Sequence, residues 1–280
     1  MTTASTITPS QQQQLIETVR HAARAEILPR FRNLSEDAIR SKSAPDDLVT
    51  DADQGAERMI SQAIAELLPT ATIIGEEAVA AGDAQLADIA GAELALIVDP
   101  VDGTWNFARG LNQFGVILAA TSFGETIFGL LYDPLADDWV VARRGEGAFF
   151  GRPDGTQRRL SVSDTTDIAE MVGATSIRLF PKPQQYQLAA TFPDVQRMMA
   201  FGCACHEYRT MAFGHVDFML AGKLMPWDHA AGLMIHAEAG GYSALLDGTP
   251  YRPTIHQGTV LAASSRELWE ALREKFTFLV

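Results

Sequence analysis

The chain has 280 residues, 47% of them hydrophobic and 20% charged, with a formal net charge of −13. This is the composition of an ordinary globular protein with a real core, and the acidic balance argues against nucleic acid as the main partner, because phosphate backbones require a basic surface. No apolar run approaches the ~18 residues of a membrane span, no secretion signal precedes the first predicted helix, and two cysteines are too few for a disulfide framework, so we expect a cytoplasmic protein without a membrane partner.

The first part of the chain alternates helical and polar segments. Thr8 and Pro9 form a typical cap and first-turn pair, and apolar residues then recur at helical spacing from 15 to 31. The polar stretch at 41–47 predicts a loop. A second helix is predicted at 52–68, where apolar residues recur three and four positions apart.

The middle of the chain has the patterns of strands. A short strand is predicted at 72–74 and a loop with some helix at 78–93. The continuous apolar run at 94–98 predicts a strand that is buried on both faces and ends at Asp99 and Pro100. Between 116 and 150, β-rich segments alternate with turn signals, which predicts an antiparallel meander.

A turn-rich stretch at 151–159 is the candidate boundary between two subdomains. We therefore expect an N-terminal α+β subdomain at 1–150 and a C-terminal α/β subdomain at 151–280. In the second, the patterns predict strands at 216–220 and 260–263 and helices at 228–239 and 266–276. This succession of elements predicts an α/β (α+β) fold.

Three groups of acidic residues adjoin the ends of apolar elements. They are Glu76 with Glu77, Asp99 with Asp102, and Asp228 at a helix start. Carboxylates at strand ends point into the crevice where open α/β sheets bind ligands, and without a counter-ion they would repel one another. Hard oxygen ligands of this kind suit Mg²⁺, which also binds phosphate oxygens. The pattern therefore predicts a magnesium site for a phosphate-bearing substrate.

Each group taken alone has a simpler explanation. An acid pair is usually solvated surface, and the Asp102-Gly103 dipeptide is usually a turn. Asp228 after Trp227 is in isolation better explained as a helix cap. Together, at the ends of apolar elements, the three groups favour a metal site.

Other residues with metal-binding side chains are better explained by packing. Cys203, Cys205 and His206 could suggest a soft-metal site, but buried thiols in a helix are commoner. His229 and His236 lie seven residues apart on one predicted helix face, where packing is the better explanation.

Four ordered motifs resemble those of the inositol monophosphatase family. The run from Asp99 to Thr104 resembles its first signature, and Trp227-Asp228 followed after eleven residues by Gly240-Gly241 resembles its second. Upstream, the segment from Lys42 to Asp53 and the Gly75-Glu76-Glu77 run match in order and separation. The resemblance extends from about residue 15 to residue 272.

This resemblance implies a layered α-β-α-β-α sugar-phosphatase fold in two subdomains, with two or three Mg²⁺ ions per site. It implies hydrolysis of a small phosphate monoester, most simply inositol monophosphate or a related sugar or polyol phosphate, by metal-activated water without a phosphoenzyme. It also implies inhibition by lithium and a homodimer.

Matching by position assigns the roles of individual residues. The metal ligands implied are Glu76, Asp99, the Val101 carbonyl, Asp102 and Asp228. Thr104, Asp53 and Glu76 would act in catalysis, with Lys42 and Glu77 as support. The substrate would contact Gly103, Thr104, Asp102 and Asp228.

The chain departs from the family pattern at several positions near the expected substrate. Ala221 replaces a glutamate that commonly binds substrate hydroxyls, Met225 replaces a histidine of some relatives, and Cys203 and Cys205 interrupt a run of small residues. The natural substrate therefore stays open. Fructose 1,6-bisphosphate, histidinol phosphate and 3′(2′),5′-bisphosphate nucleotides are alternatives, as is a regulatory binding protein without activity.

Overall fold

The computed structural model describes residues 5–42, 44 and 48–280. Part of the loop predicted at 41–47 lies outside the described residues. The helices are α1 (Pro9–Ala22), α2 (Asp51–Leu67), α3 (Glu76–Ala81), α4 (Asp88–Gly91), α5 (Thr104–Ala108), α6 (Lys182–Ala190), α7 (Ala204–Ala212), α8 (Pro226–Glu238) and α9 (Arg266–Lys275). The strands are β1 (Ile39–Ser41), β2 (Leu48–Thr50), β3 (Thr72–Gly75), β4 (Ala95–Asp102), β5 (Gly115–Ser122), β6 (Glu125–Asp133), β7 (Asp138–Arg143), β8 (Ala148–Gly151), β9 (Gln157–Arg159), β10 (Val172–Thr175), β11 (Arg197–Met199), β12 (Phe218–Ala221), β13 (Tyr242–Leu245) and β14 (Val260–Ala263).

The first two helices begin where side chains can satisfy their free amides. Thr8 and Gln11 form a capping box at the start of α1, with Pro9 at its first position, as the sequence predicts. The helical conformation continues beyond Ala22 as a π-helical turn and a 3₁₀ turn to Arg30. At α2, Thr50 and Asp53 form a second capping box, which fixes a residue of the predicted site.

Two sheets order the molecule. The larger has seven strands in the order β3-β4-β5-β6-β7-β8-β9, and only its β3–β4 pair is parallel. Its strands β5 to β8 are the predicted meander, and the hairpin of β8 and β9 occupies the 151–159 stretch. The smaller sheet has the order β11-β10-β12-β14-β13. A short antiparallel pair, β1 with β2, flanks the predicted loop and was not predicted.

Helices cover both sheets, and their buried side chains define the layers. Residues of α1 and α2 pack with Leu96, Val98 and Leu118 on one face of the seven-stranded sheet. The opposite face packs on α7 and α8, which also contact one face of the five-stranded sheet. Residues of α9 cover the outer face of that smaller sheet. This succession is the α-β-α-β-α architecture that the resemblance implies.

Strand β4 is longer than the sequence pattern predicts, because it continues through Pro100 to Asp102. Its pairing with β5 shifts register between Asp99 and Asp102, around Pro100, which has no N–H to donate to the ladder. The irregular end of the strand aims carboxylates of neighbouring residues at one place.

Across the described residues, no helix combines the length and apolar character that crossing a bilayer requires.

Candidate active site

Three carboxylates from separate parts of the chain meet at one place. Asp99 and Asp102 come from the irregular end of β4, and Asp228 comes from the first turn of α8. Each offers a carboxylate oxygen, and these oxygens all lie within 4.8 Å of one another. Among the described residues this acid trio is the one group of three or more His, Cys, Asp or Glu side chains close enough to share an ion.

The acid trio is electrostatically unfavourable without a cation. Burial, together with the charges of Glu76 and Asp102, raises the pKa of Asp99 well above its usual range. Burial and the charge of Asp102 do the same for Asp228. A buried cluster of hard oxygen donors whose protonated forms are favoured in this way fits a divalent cation such as Mg²⁺, which would restore the charged forms.

Asp102 is held in place by the segment that starts α7. Its Oδ2 accepts a hydrogen bond from the Cys205 amide at 2.5 Å and from the Cys203 thiol at 3.0 Å. Burial raises the pKa of the Cys203 thiol well above its usual range, so the thiol stays protonated and donates. The His206 ring contacts the Phe114 carbonyl at 3.0 Å, and Cys203, Cys205 and His206 are not among the described side chains that lie close enough together to share an ion.

A hydroxyl and a carboxylate form a second pair beside the acid trio. The Thr104 hydroxyl lies 3.0 Å from Asp53 Oδ1 and 2.9 Å from the Val101 carbonyl, and it can donate to one of them at a time. Asp53 Oδ2 accepts from the Thr50 amide at 2.8 Å and the Thr50 hydroxyl at 2.6 Å. Burial raises the pKa of Asp53 to about 7, although the Thr50 hydrogen bonds oppose this rise.

The turn between β4 and α5 is built on glycine. Gly103 has a φ of +85°, and an added Cβ would lie 2.8 Å from the Gln113 carbonyl oxygen. The Val101 amide donates to Asp99 Oδ1 at 3.1 Å, which fixes that carboxylate. The turn thus brings the Val101 carbonyl, Gly103 and the start of α5 to the acid trio.

Glu76 and Glu77 lie at the start of α3 and share one cation. Lys42 Nζ donates to Glu76 at 2.8 Å and to Glu77 at 2.5 Å. Burial would lower the pKa of Lys42, but the two carboxylates outweigh it and raise that pKa. Glu76 therefore lies outside the acid trio, yet near enough that its charge contributes most after burial to the raised pKa of Asp99.

Glu57 on α2 holds the start of α3, where this pair lies, and it was not predicted. Its carboxylate accepts hydrogen bonds from the Glu77 and Ala78 amides, each at 2.8 Å, and so caps α3. Burial raises its pKa to about 7. Glu57 is buried on α2 one turn after Asp53, and this placement is set by tertiary packing that no local sequence pattern marks.

A cleft with a volume of about 200 Å³ opens over these groups. Most of the sequence-predicted site residues line this cleft: Glu76, Asp99, Val101, Asp102, Gly103, Thr104 and Asp228. The others, Asp53, Lys42 and Glu77, form hydrogen bonds beside it. Glu207 also lines the cleft and was missed; burial and the charge of Asp102 raise its pKa to about 8. The rest of the lining includes Leu48, Trp105, Ser176, Arg178, Leu179, Ala204, Ala221, Lys223 and His229.

Comparison with known proteins places this geometry in a family. The chain is 31% identical over 213 residues to the inositol-1-monophosphatase of Bacillus subtilis, covering 76% of this chain and 78% of that protein. It is also 31% identical over 210 residues to a fructose-1,6-bisphosphatase/inositol-1-monophosphatase of Thermotoga maritima, covering 73% and 74%. The solved structure of the extragenic suppressor protein suhB from Bartonella henselae superposes with a TM-score of 0.79 at 26% identity, covering 96% of this chain and 99% of that one.

The family model carries the assignment. It is described as the inositol monophosphatase family, and it matches residues 10–280. That span includes both sheets and every residue of the site described above. This chain belongs to the inositol monophosphatase family.

Proposed function

We propose that the chain is a Mg²⁺-dependent phosphatase that hydrolyses the phosphate monoester of inositol or of a related sugar or polyol. The observation that carries the proposal is the acid trio of Asp99, Asp102 and Asp228 in one cleft with Thr104, whose hydroxyl is hydrogen-bonded to the buried Asp53. The first group suits a hard cation and the second suits a water that must lose a proton. Both are what phosphomonoester hydrolysis requires.

Two or three Mg²⁺ ions would be held by the carboxylates of Glu76, Asp99, Asp102 and Asp228 and by the Val101 carbonyl. When bound, Mg²⁺ neutralises these acids and the phosphate oxygens and lowers the pKa of water. Glu76 would exchange part of its contact with Lys42 for this role, while Glu77 keeps its own. The net charge of −13 makes such neutralisation necessary before a phosphate dianion can enter.

Thr104 and Asp53 would position the attacking water and receive its proton. The single Thr104 proton points to Asp53 or to the Val101 carbonyl, so the oxygen lone pairs remain free to accept from water. Asp53 is fixed by Thr50, and its pKa near 7 suits a group that gains and loses a proton at neutral pH. The Gly103 and Thr104 amides, with Asp102 and Asp228, would contact the substrate, and no side chain would become phosphorylated.

The remaining assignments follow from the family. We propose inhibition by lithium, a homodimer, and two subdomains that divide near residue 150. A cytoplasmic location is consistent with Cys203 and Cys205, which are both free and buried. The acidic charge argues against a nucleic acid partner.

Phosphate release from a panel of esters tests the function. The panel contains inositol 1-phosphate, fructose 1,6-bisphosphate, histidinol phosphate and adenosine 3′,5′-bisphosphate, each with Mg²⁺, with Mg²⁺ and Li⁺, and with a chelator. We expect turnover that requires Mg²⁺ and falls with Li⁺. The T. maritima relative's name supports including a bisphosphate in the panel.

A pair of substitutions assigns the turnover to this site. Asp99→Asn should lower kcat by about a thousandfold or more while the melting temperature changes little. Asp154→Asn, at an exposed turn, is the matched control and should keep full activity. Full activity in Asp99→Asn would disprove the residue assignment. Absence of turnover on every ester would instead favour the regulatory binding protein.

A further inference from the structure

One wall of the cleft is formed where two parallel strands end. Strands β10 and β12 are neighbours, with Thr175 opposite Leu220. The segments that follow them therefore leave the sheet at the same edge, and both line the cleft. This wall contains the methyl group of Ala221, which offers substrate hydroxyls no hydrogen-bonding atom. Two residues later the wall contains a cation, Lys223.

The backbone around Lys223 is fixed by buried groups. His229 Nε2 lies 2.7 Å from the Lys223 carbonyl, and the Tyr208 hydroxyl lies 2.8 Å from His229 Nδ1. Burial lowers the pKa of His229 to about 4, so the ring is neutral. Because a carbonyl can only accept, Nε2 carries the proton and Nδ1 accepts from Tyr208.

The turn that precedes Lys223 is equally constrained. An added Cβ on Gly222 would lie 2.8 Å from the Phe180 ring and 3.1 Å from the Leu179 carbonyl oxygen. A larger residue at 222 would therefore displace the Ala221–Lys223 segment from the wall. The Lys223 side chain thus leaves from a backbone that is held on both sides.

The Lys223 ammonium is not one of the metal-binding or proton-accepting groups proposed above, yet its charge acts on the cleft. Within the described part of the chain it forms no ion pair, whereas Lys42 binds Glu76 and Glu77. Burial dominates the raised pKa of Asp228, and the Lys223 charge opposes that rise. The lysine is exposed, so it retains the freedom to meet a ligand.

We propose that Lys223 is a specificity-determining residue that selects phosphate monoesters whose leaving group carries a second anionic group. The inference rests on the proposed function and deepens it. A neutral polyol would meet the methyl group of Ala221 and gain no charge–charge interaction from Lys223. A second anionic group on the substrate, either a carboxylate or a phosphate, would interact directly with the Lys223 charge. The net charge of the chain would otherwise repel this group.

Matched substrate pairs test this selection. Glycerol 2-phosphate and 2-phosphoglycerate differ by a carboxylate, and inositol 1-phosphate and inositol 1,4-bisphosphate differ by a phosphate, so the two pairs distinguish the two anions. We expect the wild-type enzyme to favour the anionic member of at least one pair by about tenfold in kcat/KM. This preference should decline as salt is added, because the lysine is exposed.

Variants assign the preference to the residue. Lys223→Met should lower kcat/KM for the anionic members about tenfold, mainly through KM, and leave the neutral members within about twofold. Lys223→Arg should retain the preference. Lys275→Met is the matched control. It removes the same charge at the end of the last helix, where Lys275 forms an ion pair with Asp194.

Two outcomes would overturn the inference, and they are distinguishable. Turnover without preference for the anionic members, or an equal loss for all substrates in Lys223→Met, would disprove the role of Lys223 and leave the phosphatase function intact. Absence of Mg²⁺-dependent turnover on every ester would overturn the proposed function and this inference with it.

Discussion

Thr104 shows how a single hydroxyl can connect the two parts of the site. Its oxygen lies within 3.0 Å of both Asp53 Oδ1 and the Val101 carbonyl, so it touches a candidate proton acceptor and a candidate metal ligand. A side chain in this position orients water by its lone pairs and its one proton. Its contribution should therefore appear in the chemical step more than in substrate binding.

We predict that Thr104→Val, which keeps the shape and removes the hydroxyl, lowers kcat by about a hundredfold or more and changes KM little. Thr104→Ser keeps the hydroxyl and should retain most of the activity. Steady-state kinetics on the best ester of the panel measures both. A Val variant with normal kcat would show that Asp53 receives no proton through this residue.

His236 is a buried residue whose ionisation affects stability and not the site. Neither ring nitrogen has a hydrogen-bond partner among the residues that the structure describes. Burial lowers its pKa to about 4, whereas the unfolded chain keeps a value near ~6.5. Between those values the unfolded state binds a proton that the folded state does not. The free energy of unfolding therefore carries no penalty from this residue above about pH 6.5, and it falls as the pH decreases toward about 4.

We predict that His236 lowers the free energy of unfolding by about 3 kcal/mol as the pH falls from 7 to 4. His236→Leu, which cannot ionise, should lose less stability than the wild type over that range. Urea unfolding at several pH values measures the difference between the two proteins, and acids elsewhere contribute equally to both. Parallel pH profiles would contradict the prediction.

At the level of elements, sequence patterns predicted what local rules determine. The helix at 52–68 was predicted because Ala56, Ile60 and Ile64 form a stripe, and all three are buried in α2. The β1–β2 pair was missed because three-residue strands carry too little pattern. The extension of β4 through Pro100 was missed because proline usually ends a strand, and a register shift accommodates it here.

The sequence likewise predicted the carboxylates of the acid trio but missed other acidic residues of the site. Acids at strand ends predicted convergence, and Asp99, Asp102 and Asp228 do converge. Glu57 and Glu207 were missed because their positions depend on which helix face packs inward and on which loop folds over it. Such tertiary contacts leave no local pattern in a single sequence.

Glu57 supplies a prediction about element α3. It accepts hydrogen bonds from two amides in the first turn of this helix, so its loss should let Glu76 move relative to the acid trio. We predict that Glu57→Ala raises the Mg²⁺ concentration needed for half-maximal activity by about tenfold or more, as is typical of residues that position metal ligands. Glu66→Ala, at an exposed position of the same helix, should leave it unchanged. Equal Mg²⁺ requirements in the two variants would refute the positioning role.

On the scale of the whole molecule, the middle helical layer connects the two sheets and supports the site. Cys203 and Cys205, which hold Asp102, lie at the start of α7, and Asp228 lies in the first turn of α8. Both helices belong to the later half of the chain and pack on strands of the earlier half. The geometry of the acid trio therefore depends on how firmly this layer is bound to the seven-stranded sheet.

A buried ion pair provides part of that attachment. Arg209 on α7 donates to Asp138 on β7 and, at 3.1 Å, to the Leu131 carbonyl on β6. Both charged side chains are only 7% exposed. Arg152 lies 3.6 Å from Asp138 but is half exposed, so it compensates the carboxylate poorly.

We predict that Arg209→Met destabilises the fold by about 3–5 kcal/mol, because it leaves the Asp138 carboxylate buried without its main partner. The melting temperature should fall by about 10 °C, and Asp138→Asn added to Arg209→Met should recover part of this loss. Arg266→Met breaks an exposed pair with Glu270 and should change stability by less than about 1 kcal/mol. Thermal unfolding of the four proteins measures these effects. If Arg209→Met melts like Arg266→Met, the pair contributes nothing, and apolar packing alone must hold the middle layer and its carboxylates in place.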